Sequence, residues 1–98
     1  MDLTVSQPAV NWFKDEFDIK ESAKIRFFAR YGGQNQLVDG FSIGLGMDEP
    51  NHPAATFEKD GLLFFIEQQD EWLFQGADLY VKYSRSYEEV AFELKENS

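Results

Sequence analysis

The sequence predicts a small α+β domain, a mixed β-sheet or sandwich carrying an N-terminal amphipathic helix and a short second helix. Three observations carry that expectation. Apolar residues recur at helical spacing near the start of the chain, at Val10, Phe13 and Phe17. Much of the remainder alternates apolar and polar residues with period two, in short runs separated by Gly, Pro, Asp and Asn. Ten of the 98 residues are Phe, and aromatic residues make up 16% of the chain. Such side chains carry large buried areas, so a short chain can fill one core without cross-links. No repeat, linker or low-complexity segment divides residues 1–98, which read as a single domain.

Taken in order, Leu3-Thr4-Val5 is a short strand. Ser6 is suited to cap a helix over roughly 7–18, and Pro8 in the first turn has no N–H for the helix to miss. From Ala23 the period becomes two: Ala23, Ile25, Phe27, Ala29 and Tyr31 alternate with Lys24, Arg26, Phe28 and Arg30, a half-buried strand that Gly32-Gly33 ends. A second alternating run sets Phe41, Ile43, Leu45 and Met47 against Ser42, Gly44, Gly46 and Asp48. The small residues on its second side imply that something packs closely there. A turn-rich loop, 48–53, leads to a strand at 55–58, an Asp60-Gly61 hairpin turn and a buried strand at 62–66. Asp70 is placed to cap a short helix, 71–75, that Gly76 terminates. Leu79, Val81 and Tyr83 mark another strand. Val90 to Leu94 alternate as a last one, although Ser86 with Glu89 also fits a helical capping box.

Composition bounds the function. Eighteen acidic residues against nine basic give a formal net charge of −9. That balance opposes both the phosphate backbone of nucleic acid and anionic membrane surfaces. The absence of cysteine excludes disulfides, thiolate metal sites and a cysteine nucleophile. No apolar run approaches the roughly 20 residues of a membrane-spanning helix, and residues 1–4 lack signal-peptide character. The cytoplasm is the expected location.

The run Ile25-Arg26-Phe27-Phe28-Ala29-Arg30-Tyr31-Gly32-Gly33-Gln34 carries a family resemblance, as do Leu62-Leu63-Phe64-Phe65-Ile66-Glu67 and Leu73-Phe74-Gln75-Gly76-Ala77-Asp78-Leu79-Tyr80-Val81. With the opening Leu3-Thr4-Val5-Ser6, they occur in the order seen in the HesB-like family of A-type iron–sulfur carriers, which the chain resembles over nearly its whole length. The resemblance implies the HesB-like fold, and weakly a homodimer. Members hold iron or a cluster through one cysteine after the first long strand and a Cys-X-Cys pair near the C-terminus. Here Gln34 stands at the first position, and the chain runs out as Lys95-Glu96-Asn97-Ser98. A cluster needs thiolate ligands. The chain therefore looks like a cysteine-free branch of that family, with no iron–sulfur cofactor expected.

The residues themselves offer one concentration of basic charge. Arg26 and Arg30 share a strand face and run into Gly32, Gly33, Gln34 and Asn35, a turn able to grip a carboxylate, a phosphate or an acidic loop. The competing reading is that both arginines pair with nearby Asp and Glu. Asp48, Glu49 and His52 are the candidates for a hard-ligand metal site. Signs of catalysis are absent: Ser84 and Ser86 have no histidine near them in sequence, and Glu88 and Glu89 are expected on opposite faces of a strand. Phe64, Phe65, Trp72, Phe74 and Tyr31 are assigned to the core, some of the first four with a possible share in self-association. The expected function is a non-catalytic binding domain for a protein partner or small anionic ligand. The alternative is a mononuclear iron-binding or iron-donating protein with oxygen and nitrogen ligands.

Overall fold

A computed structural model describes residues 1–33 and 36–96. Strand β1 (Leu3–Val5) leads into helix α1 (Gln7–Glu16), followed by β2 (Ala23–Tyr31), β3 (Phe41–Met47), β4 (Pro53–Lys59) and β5 (Leu62–Glu67). A 3₁₀ helix (Gln68–Phe74), β6 (Asp78–Ser84) and β7 (Glu89–Lys95) complete the order. The strands form two sheets, one in the order β3-β2-β5-β4 and one in the order β1-β6-β7. The β2–β5 and β1–β6 pairs are parallel and the other pairs antiparallel. An α+β domain with an N-terminal helix and a short second helix is therefore what the chain builds.

Alternation decides which side of each strand is buried. Ile25 and Phe27 of β2, Leu62, Phe64 and Ile66 of β5, and Leu79 and Val81 of β6 join one core with Leu3, Val5, Ala9, Val10 and Phe13. Phe13, on the inner face of α1, sits edge-on to Phe27 and to Phe64, with centroids 5.9 and 5.1 Å away. Phe27 also meets Phe92 of β7 at 5.7 Å, which ties the two sheets together. Ser6 Oγ accepts the Ala9 N–H, as a helix cap should. Asp60 and Gly61, at φ 53° and 82°, make the β4–β5 turn in the left-handed region that twisted hairpins require. Gly44 carries the close approach expected of it: a Cβ there would lie 2.5 Å from Cε2 of Phe28.

Several expectations need correction. The second helix starts at Gln68 rather than Glu71, and Asp70 lies inside it without capping it. Helix α1 stops at Glu16, because Asp18 takes a positive φ of 51° that a right-handed helix excludes. Tyr31 is 77% exposed, since it continues the inward register of β2 beyond the end of β5. Trp72 is 47% exposed, whereas Phe64, Phe65 and Phe74 are fully buried. Glu88 adopts a positive φ in the β6–β7 turn, ahead of β7, so Glu88 and Glu89 do not stand on opposite faces of one strand as expected. The segment 89–95 is a strand, as the alternation of Val90 to Leu94 predicts.

Candidate functional site

Arg26 lies mid-way along β2, on the side turned away from the core. The antiparallel register sets it opposite Gly46 of β3, so the chain leaving β3 brings Asp48 to its side. The parallel β2–β5 pairing ends at Phe27–Ile66, and the 3₁₀ helix then delivers Asp70 to the place that β5 has vacated. Asp70 accepts the Arg26 Nη2 donor at 2.6 Å and the Ala29 backbone N–H at 3.3 Å. Asp48 accepts from Arg26 Nη1 at 3.0 Å. The guanidinium also lies over the Phe28 ring, 5.7 Å from its centroid. Held between two carboxylates, Asp70 above all, Arg26 is raised above its ordinary pKa. The Asp48 carboxyl is lowered from its usual value, first by the Glu49 N–H and then by Arg26.

The neighbouring loop is pinned in the same way. Buried Glu67 accepts the backbone N–H groups of Asn51 and His52. Gln68 donates to the His52 carbonyl at 2.9 Å, and Lys24 binds Glu49 at 2.9 Å. A polar recess of 540 Å³ opens here, lined by Arg26, Asp48, Asn51, Glu67 and Gln69 among others. Asp48 and Glu49 thus answer to Arg26 and Lys24, and among the described residues no three His, Asp or Glu side chains are gathered so as to hold a metal ion.

Arg30 has a different fate. It is exposed, and it enters none of the ion pairs found among the described residues. It borders a second groove of 540 Å³ between the two sheets, with Trp12, Leu45, Tyr87, Glu89 and Phe92 among its walls. The glycine turn beside it is anchored, since Gly32 N–H donates to Gly40 O and Ser42 Oγ donates to Gly32 O, both at 2.7 Å. A Cβ on Gly33 would fall 2.7 Å from that Ser42 oxygen, so only glycine fits there without a shift. Gln34 and Asn35 lie outside the described residues. The structure therefore separates the two arginines: Arg26 is closed into an ion-pair network, and Arg30 is left facing solvent.

Next to them stands a feature that periodicity did not reveal. Tyr31, Phe41 and Trp72 form an edge-to-face series with centroid separations of 5.2 and 5.1 Å, and its two outer members are exposed. The sequence offered only a weak signal for it, namely that the apolar register of β2 persists one residue past Arg30 into the glycine turn.

A Bacillus subtilis (strain 168) protein named pyruvate dehydrogenase inhibitor is 43% identical over 95 residues, spanning 97% of this chain and 100% of that one. The chain belongs to its family. Members described as uncharacterized proteins occur in Staphylococcus saprophyticus (34% identical over 98 residues, 97% of this chain and 100% of the other). Another is found in Staphylococcus haemolyticus (30% identical over 95 residues, 94% and 96%). The searched family models gave no match. Family membership thus rests on end-to-end likeness to whole proteins, and the inhibitor's name describes a protein that acts on another protein.

Proposed function

We propose that this protein is a non-catalytic inhibitor that works by binding pyruvate dehydrogenase. The observation that carries the reading is the 43% identity, over 97% of this chain and the whole of the relative, to the Bacillus subtilis inhibitor. The surface chemistry supports it. Exposed Tyr and Trp are the side chains that most often anchor protein interfaces, and here Tyr31 and Trp72 flank Phe41 on one patch. Arg30 and the anchored turn at Gly32 and Gly33 lie alongside as polar contacts for a partner's carboxylates. A net charge of −9 favours a basic receiving surface and fast encounter with it. The scaffold we read as a cysteine-free member of the HesB-like fold. Its order of strand, helix, long strand, glycine turn, strand, hairpin and short helix supports that assignment, and Gln34 in place of the family's cysteine makes it a cysteine-free one.

The test is to add the purified chain to a bacterial pyruvate dehydrogenase complex and follow the rate of pyruvate oxidation. A saturable, stoichiometric fall in rate is the expected result. An unchanged rate, together with no co-sedimentation at a large molar excess, overturns the reading. A Tyr31→Ala, Trp72→Ala double variant should raise the half-inhibitory concentration at least about tenfold, because truncated aromatic anchors commonly cost 2 kcal/mol or more.

A further inference from the structure

Among the described residues, four strands lie at sheet edges: β1 and β7 in one sheet, β3 and β4 in the other. Three carry the features that discourage further pairing. β1 has only three residues. β4 begins with Pro53, has an irregular register between Pro53 and Ala55, and ends in Glu58 and Lys59. β7 presents Glu89, Glu93 and Lys95. β3, Phe-Ser-Ile-Gly-Leu-Gly-Met, has seven residues with no charge, no proline and no irregularity in its pairing with β2.

The direction of its backbone groups follows from the alternation of an antiparallel ladder. Phe41 N–H donates to Val38 O, and Phe41 O accepts from Leu37 N–H, so residue 41 points away from β2. Gly32 N–H donates to Gly40 O and Asp48 N–H donates to Lys24 O, so the even positions point toward β2. Ile43, Leu45 and Met47 therefore turn their N–H and C=O groups to the open edge. Ile43 and Leu45 also line the groove between the sheets, whose far wall is Val90, Ala91 and Phe92 of β7. Exposed carboxylates stand beyond each end of β3: Asp39 before it, and after it Asp48, bound to Arg26, and Glu49, whose Oε1 alone is taken by Lys24.

We propose that the free edge of β3 captures an extended segment of a partner protein, apolar at alternate positions and basic at its ends. The segment adds a strand to the β3-β2-β5-β4 sheet through the backbone of Ile43, Leu45 and Met47. Its inward side chains enter the groove beside Phe92, and its basic ends meet Asp39 on one side and, on the other, Glu49 Oε2, the oxygen that Lys24 leaves open among the described residues. Main-chain hydrogen bonds supply affinity in such pairing, and alternate side-chain pockets supply selectivity. This deepens the partner-binding reading above. Its test contains no pyruvate dehydrogenase, so strand capture and inhibition can fail independently.

The probe is a synthetic peptide of alternating valine and threonine with a lysine at each end, titrated into the full chain and followed by amide NMR and hydrogen exchange. Saturable shifts, with slowed exchange at Ile43, Leu45 and Met47, are expected. A peptide with glutamate ends should bind several-fold more weakly. Met47→Pro removes one outward N–H without touching the β2 ladder, and should weaken binding about tenfold. Met47→Ala keeps that N–H and should stay within about threefold of the parent. The proposal is overturned by unchanged edge amides at millimolar peptide, or by Met47→Pro binding as the parent does. Edge amides already protected without peptide, in proportion to protein concentration, overturn it in favour of a second copy of this chain on β3.

Discussion

At Arg26 one cation holds three stretches of chain together: β2, the exit of β3 through Asp48 and the 3₁₀ helix through Asp70. Removing it leaves the buried Asp70 carboxylate with the Ala29 N–H as its remaining partner among the described residues. Arg26→Ala is therefore expected to lower stability by roughly 2 kcal/mol, less than a fully buried pair loses because the site is partly solvated. Arg30→Ala should leave the urea midpoint nearly unmoved, and equal losses for the two variants would refute this division of roles. A carboxyl whose folded pKa is lowered stabilises the fold above its unfolded pKa, and that contribution disappears as pH falls through the folded value. Asp48, lowered by the Glu49 N–H and Arg26, and Glu93, lowered by Lys82, both follow this rule. Stability should thus decline below about pH 4. An Asp48→Asn chain should show a shallower decline in urea titrations run across that range. Asp70 shows why such roles escape a reading of the sequence. Before a short helix, Asp is a good capping residue, and its pairing with Arg26 becomes visible only once β5 is seen to leave β2 at Ile66.

At the scale of elements, period and turn chemistry were the readable signals. The alternation in 23–31, 41–47 and 90–94 corresponds to β2, β3 and β7, and Asp60-Gly61 marks the hairpin between β4 and β5. What the sequence does not show is where a partner strand ends, and for that reason Tyr31 lies at the surface although its register continues the inward face of β2. Two glycines offer direct checks on element packing. At Gly61 the backbone φ is +82° and an added Cβ would fall 2.7 Å from the Glu21 carbonyl oxygen, so Gly61→Ala should cost about 2 kcal/mol or more. At Gly44 the obstacle is the Phe28 ring rather than backbone, so Gly44→Ala should cost about 1–3 kcal/mol. A double-mutant cycle with Phe28→Ala should recover part of that loss. Strictly additive losses would mean that the ring and the glycine do not oppose each other.

For the whole molecule the dominant quantity is its charge of −9. If the chain inhibits a basic-surfaced partner, added salt should slow association while leaving dissociation comparatively unchanged, and stopped-flow mixing at two ionic strengths would show whether it does. The arginine candidates were legible as an isolated basic cluster in an acidic chain. Their separation into a closed pair network and an open cation was not, because it depends on contacts between residues more than forty positions apart, such as Arg26 with Asp70. The parallel pairing of β1 with β6, and the antiparallel pairing of β6 with β7, carry a consequence for the order of folding. Leu3–Val5 are made well before their pairing partners, Leu79–Val81. The three-stranded sheet therefore cannot form until β6 and β7 have emerged, and until then the apolar face of α1 lacks one of its two supports. Closing the long separation between β1 and β6 should make the three-stranded sheet a late step of folding, after local pairs such as the β4–β5 hairpin.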